Sequence, residues 1–461
     1  MNVSSLWYSP DYMLVSASFS KSHDAYAAFT TAVVLRLVAK SPELVLLAVS
    51  VYLLRPVYRF FFSPFDYKVT RQVKNEIHGI DANDIGVTAM GIQAVNRLRK
   101  QVGKIPPAYP RYAWFTLCFA HDLPHPGSML RVNVLGKNLL VFRGSSDPSK
   151  VYTMDAYCPH LGADLGGGKV VKVVKECEDG SKVTKDCIEC PFHKWAFSGE
   201  GECEHIPYEE KIPRGANVKT YLTYEANDMI YMWNDTETQP AWYPMSFEVM
   251  DRKEMTYHGH SEHYITAHIQ ELPENGADLQ HIFQLHGPMM GAFINSWNAT
   301  WEPQPAPDEH NFKMEVVHTI GFNHNGKTYT IPFIPHSVSH TTQNGPGQTY
   351  HEFDFLGGLW KIMVVATVTP MAPLLQRATF AVYGSRWAPR WFCKFILSAF
   401  LEQVERDIPI WNHKKYEHHP ILGKSEGTIL KYRRWFRQFY SEEDLAENGD
   451  SALTANNGLE W

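Results

Sequence analysis

The chain has 461 residues, of which 44% are hydrophobic and 20% charged, with 43 basic against 49 acidic side chains for a net charge of −6. That length exceeds what one hydrophobic core usually serves, so two domains plus an extension are expected. The charge balance excludes the basic footprint of a nucleic-acid-binding protein. Seven cysteines without framework spacing exclude a disulfide scaffold and favour a reducing compartment, which makes the sequons at Asn2, Asn234 and Asn298 chance matches.

Residues 1–68 differ from the rest. Leu44 to Leu54 is apolar or small, and Pro56 to Phe65 is aromatic-rich with Arg55 and Arg59 close by. A span needs about 20 apolar residues, and Arg36, Lys40 and Glu43 interrupt the preceding stretch. A transmembrane helix, an interfacial helix and a buried helix are all open, and the expectation is an N-terminal membrane anchor. Arg55, Arg59, Lys68, Arg71 and Lys74 follow it. By the positive-inside rule, the rest of the chain then faces the cytosol from a membrane such as the endoplasmic reticulum.

Residues 69–110 read as a linker with an entry helix, ending in the proline-rich Ile105 to Pro110. Residues 111–221 alternate short apolar runs with turns, as in Arg131 to Leu135, then Gly136-Lys137-Asn138, then Leu139 to Phe142. This predicts a small all-β domain. Within it stand Cys158-Pro159-His160 and Cys190-Pro191-Phe192-His193. One cysteine and one histidine in each half form the ligand set of a Rieske [2Fe-2S] cluster, with two thiolates on one iron and two imidazoles on the other. The alternative is a Cys2His2 zinc site, although zinc sites usually pair cysteine with cysteine and histidine with histidine. The glycines that follow each half are expected to let backbone pass close to an inorganic sulfide. Val170 to Val183 reads as a hairpin with Asp179-Gly180 at its tip, and Cys177 and Cys187 on it read as bystanders.

Residues 222–440 are expected to form a second domain. Strands are predicted over Lys313 to Gly321, Tyr350 to Phe355, Trp360 to Thr369 and Arg377 to Tyr383, with a turn at Asn325-Gly326 and helices over Pro273 to Leu285 and Trp391 to Ile408. On a helix, His281 lies about 60° from Asp278, but His286 lies about 140° from His281, so a straight helix cannot aim both imidazoles at one ion. Gly287-Pro288 comes next, so the helix should loosen and deliver His286 from its end. Two histidines and one carboxylate form the open-sided ligand set of non-haem Fe(II) oxygenases. Among Glu402, Glu405 and Asp407, periodicity puts Asp407 nearest the apolar face. His258, His260, His263 and His268 form a rival group without a carboxylate partner. Residues 441–461 are a polar tail.

The motifs C-x-H…C-x-x-H and N-x-x-D-x-x-H-x4-H resemble those of the Rieske non-haem iron oxygenase α subunits over roughly residues 105–440. Ala366 to Pro370, Asp407 to Trp411 and Arg433 to Tyr440 look like the steroid-processing branch, nearest the animal cholesterol 7-desaturase family and the bacterial 3-ketosteroid 9α-hydroxylases. The resemblance implies an α+β chain: an N-terminal hydrophobic helix, an all-β Rieske domain, then a helix-grip-like catalytic domain of antiparallel sheet plus helix. It implies a cluster on Cys158, His160, Cys190 and His193, and a mononuclear iron on His281, His286 and Asp407. Asp278 becomes the bridge between a cluster histidine and an iron histidine, across a subunit interface of a homotrimer. The implied activity is O2-dependent desaturation of cholesterol or hydroxylation of a steroid. Electrons would come from NAD(P)H through a separate reductase, since no G-x-G-x-x-G fingerprint occurs here. The long interval between the cluster halves and Lys194, where glycine often stands, depart from the family pattern.

Overall fold

The computed structural model describes residues 105–176, 181–286, 288–289, 294–324, 327–330 and 336–447, together with 50, 52, 54–55, 57–59 and 61–69. Most of the expected anchor helix, and nearly all of the entry helix, lie outside the described residues. Residues 1–63 and 64–461 form two compact units. In the first, the described helical residues leave Tyr52, Leu54, Val57, Tyr58, Phe61 and Phe62 exposed. Among the described residues no helix is long and apolar enough to cross a membrane.

The all-β part of the second unit consists of three small antiparallel sheets. One contains Met129–Val134, Lys137–Arg143, Val151–Asp155 and Thr220–Tyr221, and another contains Lys169–Glu176, Lys182–Glu189, Ala196–Ser198 and Cys203–His205. The expected extended hairpin is present, with Glu176 opposite Lys182; its Asp-Gly tip lies outside the described residues. The first hairpin turns one residue earlier than predicted. Leu135 and Gly136 both take positive φ, 55° and 66°, between Val134 and Lys137. Left-handed backbone is costly for leucine, but this tip is docked: Leu135 N–H donates to Pro370 O at 2.6 Å and Gly136 N–H to Met371 O at 3.2 Å. Tertiary contacts outweigh the local preference.

The second domain is built on a ten-stranded sheet. Starting from its parallel edge strand Phe65–Val69, the order is Met255–Ile265, Leu375–Ser385, Trp360–Ala372, Gln348–Phe355, His336–Asn344, Asn311–His324, Ile294–Pro303 and Pro288–Met289, with Lys327–Thr330 beside Asn311–His324. The predicted turn residues Asn325 and Gly326 lie outside the described residues. Trp360–Ala372 is buried on both faces: Ile362, Val364 and Ala366 face the long helix Arg390–His413, while Met363 and Val365 join the core shared with the all-β part. That burial makes the strand a continuous apolar run instead of an alternating one.

Two expectations change. The predicted linker 105–110 is packed, with Pro106, Pro107 and Pro110 buried and Pro107 O 3.0 Å from His268 Nε2. The helix predicted over Pro273 to Leu285 is two short helices, Glu271–Glu274 and Leu279–Gln284. Asn275 and Gly276 are weak helix formers, and Asp278 prefers a cap position. It is the N-cap of the second helix and accepts a hydrogen bond from His281 N–H at 3.2 Å.

The helix Gly427–Phe436 clamps this break. Arg433 donates from Nε and Nη2 to the two carboxylate oxygens of Glu274, at 2.7 and 3.0 Å, and Thr428 Oγ1 donates to Ala277 O at 2.6 Å. Arg433 and Glu274 are each only 7% exposed. Removing one member of a buried, bidentate pair strands the other charge. Arg433→Ala should therefore cost about 3–5 kcal/mol in urea unfolding, and pairing it with Glu274→Met should recover most of that loss.

Candidate metal centres

Cys158 and Cys190 open two loops of the same construction. Cys158 O accepts from Gly162 N–H at 2.9 Å, and Cys190 O accepts from Lys194 N–H at 3.2 Å. Gly162 and Lys194 both have positive φ, 72° and 60°. Lys194 thus does with strain what glycine does freely, and its ammonium lies 3.5 Å from Glu189. Packing also demands two of the glycines in the triplet: a Cβ on Gly168 would run into Glu189 O, and one on Gly166 into the Arg131 side chain, which pairs with Asp164 at 2.7 Å.

The four side chains separate by type. The Cys158 and Cys190 thiols are buried and adjacent. The His160 and His193 rings lie half-buried, 4.7 Å apart between centroids, with His160 stacked on Trp195 at 4.6 Å. Burial pushes the Cys158 thiol up to about 11, while the backbone N–H groups of His160 and Leu161 favour its thiolate. Among the described residues, only His281, His286 and Asp407 gather three such donors within 4.8 Å of one another. The cysteine–histidine set is therefore too spread for one tetrahedral ion, and its thiol end and imidazole end suit the two irons of a Rieske cluster. Cys187 is buried and pushed up to about 12, an inert thiol, while Cys177 lies outside the described residues.

The second centre forms where the helix Leu279–Gln284 stops. Past its end, His286 Nε2 comes within 3.1 Å of His281 Nε2. Asp407, from the long helix, lies 3.2 Å from His286 Nε2 and 4.0 Å from His281 Nε2. The other ring nitrogens are engaged: His281 Nδ1 with Asp278 O at 2.6 Å, and His286 Nδ1 with Gln403 Oε1 at 3.0 Å. With carbonyl oxygens there, each Nδ1 is a donor and each Nε2 keeps its lone pair for a metal. Burial holds His281 below its ordinary value, which favours the neutral imidazole a metal needs. Of the other candidate acids, Glu402 pairs with Arg406 at 2.6 Å and Glu405 is exposed.

Residues 113–221 match the Rieske [2Fe-2S] domain, and residues 232–440 match the 3-ketosteroid 9alpha-hydroxylase C-terminal domain. A protein of Xenopus laevis described as cholesterol 7-desaturase nvd is 40% identical over 384 residues, 79% of this chain and 78% of that protein. The cholesterol 7-desaturase of Caenorhabditis elegans is 34% identical over 394 residues, 79% of this chain and 85% of that one. The chain belongs to the cholesterol 7-desaturase family of Rieske oxygenases. Dicamba monooxygenase bound to dicamba shares the fold, with a TM-score of 0.54 at 15% identity over 74% of this chain and 99% of that one. A family member of this kind carries a Rieske cluster and a mononuclear iron and draws on a separate reductase.

In this desaturase-family chain, sequence reasoning missed Gln403, Thr428 and Arg433 as supports of the site. Gln403 was legible in hindsight: it stands four residues before Asp407 and so shares its helix face. Among the described residues, no hydrogen bond or ion pair joins the cluster loops to His281, His286 or Asp407 within one chain. The rival histidines do not converge. His260 contacts Tyr257 and Phe119, His268 binds Pro107 O, and His258 and His263 are buried with neither ring nitrogen hydrogen-bonded.

Those last two make stability depend on pH. Unfolded, both imidazoles take up a proton as pH falls through their ordinary 6.5; folded, burial delays this to about 4. The unfolded state binds more protons across that window, so stability falls as pH falls from about 6.5 to about 4. The urea midpoint should drop between pH 7 and pH 5, and His263→Leu should flatten that drop.

Proposed function

We propose that this chain converts cholesterol to 7-dehydrocholesterol, using O2 and electrons that a separate reductase draws from NAD(P)H. The observation that carries this reading is the His281, His286 and Asp407 triad, in a chain whose relatives are described as cholesterol 7-desaturases. Cys158, His160, Cys190 and His193 hold the cluster; His281, His286 and Asp407 hold the iron. When bound, the cluster would supply single electrons and the iron would activate O2 for removal of hydrogen from a sterol C–H bond.

The chain's own residues do the rest. Asp278 O and Gln403 Oε1 fix the tautomers and ring planes of His281 and His286. Ile396 and Phe400 pack against the core that seats the helix carrying Asp407. Asp278 spends one carboxylate oxygen on the helix cap. In a homotrimer, the other would reach a cluster-ligating imidazole of the neighbouring subunit. Leu161 at 66% and Phe192 at 61% exposure flank the half-buried cluster imidazoles and suit such a contact. At the N-terminus, the apolar run Leu44 to Leu54 and the exposed Val57, Tyr58, Phe61 and Phe62 support attachment to a membrane. The endoplasmic reticulum, with the catalytic part in the cytosol, fits the arginines and lysines that follow.

A steroid hydroxylase is the second reading, favoured by the match of residues 232–440 to a 9alpha-hydroxylase domain. Microsomes holding the protein should turn cholesterol under 18O2 into a sterol two hydrogens lighter and unlabelled, and Asp407→Ala should abolish it. A labelled alcohol instead would select the hydroxylase.

A further inference from the structure

We infer that the end of the second domain where the long helix starts is a membrane-docking surface, which sets apolar side chains into the headgroup and acyl boundary of an anionic bilayer. The inference rests on the membrane attachment proposed above and extends it from the N-terminal segment to the second domain itself.

Two neighbouring turns form the surface. One is Leu356 to Leu359, between the strands Gln348–Phe355 and Trp360–Ala372, where Leu356, Gly357 and Gly358 all take positive φ. The other leads from Ser385 into the helix Arg390–His413. Ser385 Oγ joins them, donating to Leu359 O and accepting from Lys361 N–H, each at 3.2 Å. Phe392 supports both turns, packed on Phe355 and Trp360 with ring centroids 5.0 Å away. Around this support, five large apolar side chains face solvent: Trp387 at 67% exposure, Leu356 at 63%, Leu359 at 50%, Trp391 at 42% and Phe395 at 38%. An exposed apolar group of that size marks a surface that something covers.

Residue type and charge select a bilayer. Tryptophan is the side chain that settles at the level of lipid headgroups, and leucine and phenylalanine reach the acyl chains below. Arg386, whose guanidinium lies 5.7 Å from the Trp387 ring centroid, stands with Arg390 and Lys361 at the edge. Residues 384 to 401 contain no acid, and the hairpin's Asp354 stands opposite Lys361, on the face turned away from Phe355 and the helix. The 24-residue helix also turns its positive end this way, with no side-chain cap. Such a surface complements anionic headgroups. Its place in the fold agrees. Phe65–Val69 runs parallel to Met255–Ile265 with Phe65 opposite Gly259, and Met255 lies opposite Ser385. The chain therefore enters the sheet from the end that carries both turns, and the sequence before that entry holds the apolar run Leu44 to Leu54. Trp391 precedes Asp407 by 16 residues, about 24 Å along the helix, which keeps the surface clear of the triad and of the subunit contact proposed at Asp278.

Hydrogen exchange of the full chain, followed peptide by peptide with and without vesicles of phosphatidylcholine and phosphatidylserine, locates the contact whatever the N-terminal segment does. Amides in peptides 356–360 and 385–391 should exchange severalfold more slowly on the vesicles. Leu356→Ser combined with Trp387→Ser, both at exposed positions and checked for wild-type melting, should return those peptides to their lipid-free rates. Arg386→Glu combined with Arg390→Glu should do so in part. A chain that sediments with the vesicles while both peptides keep their lipid-free rates overturns this surface and leaves the N-terminal attachment standing. A chain that does not sediment with them overturns both. Slowing that appears without vesicles as protein concentration rises would give the surface to a second copy of the chain and overturn the bilayer.

Discussion

The iron-ligand geometry depends on a helix that stops at the right residue. His281 and His286 are five positions apart, a spacing that points imidazoles to different sides of a continuous helix. Their Nε2 atoms meet only because Leu279–Gln284 ends before His286. The start of that helix is as constrained as its end. Asp278 caps it, and its carbonyl orients His281. Arg433 and Thr428 hold the preceding turn from a helix more than a hundred residues away in sequence. A six-residue helix has little stability of its own, so its placement is tertiary.

The two centres answer different demands with similar side chains. At the cluster, thiols are buried together and imidazoles sit near the surface, an arrangement suited to passing electrons outward through the histidine side. At the triad, both imidazoles have their Nδ1 occupied by an oxygen acceptor, so a metal can be bound by neutral rings and one carboxylate with positions left open. The long helix ties the triad to the core: Asp407 and Gln403 reach the triad, while Ile396 and Phe400 pack against the core cluster that seats the helix.

Much of this was legible in the sequence, for physical reasons. The cluster loops declare themselves because ligand type and spacing are both restrictive. The end of the helix before His286 was readable from Gly287-Pro288, and Asp407 from its phase against Phe400. What was not legible depended on distant contacts. The break at Asn275 to Asp278 has local causes in two weak helix formers and a cap residue, but no local pattern announces its clamp by Arg433. The shift of the Leu135-Gly136 turn reflects docking on Pro370 and Met371. The packing of 105–110 arises because its prolines meet the second domain, although proline-rich composition alone reads as a linker.

The central claim is that one chain carries two separate iron centres, on different residues. Iron counting together with electron paramagnetic resonance of the reduced protein tests it most directly, comparing wild type with Asp407→Ala and Cys190→Ser. The account predicts that Asp407→Ala keeps the cluster signal and its two irons but loses the third, while Cys190→Ser loses the cluster signal. An Asp407→Ala protein with wild-type iron content, or one that loses the cluster signal while remaining folded, would contradict it.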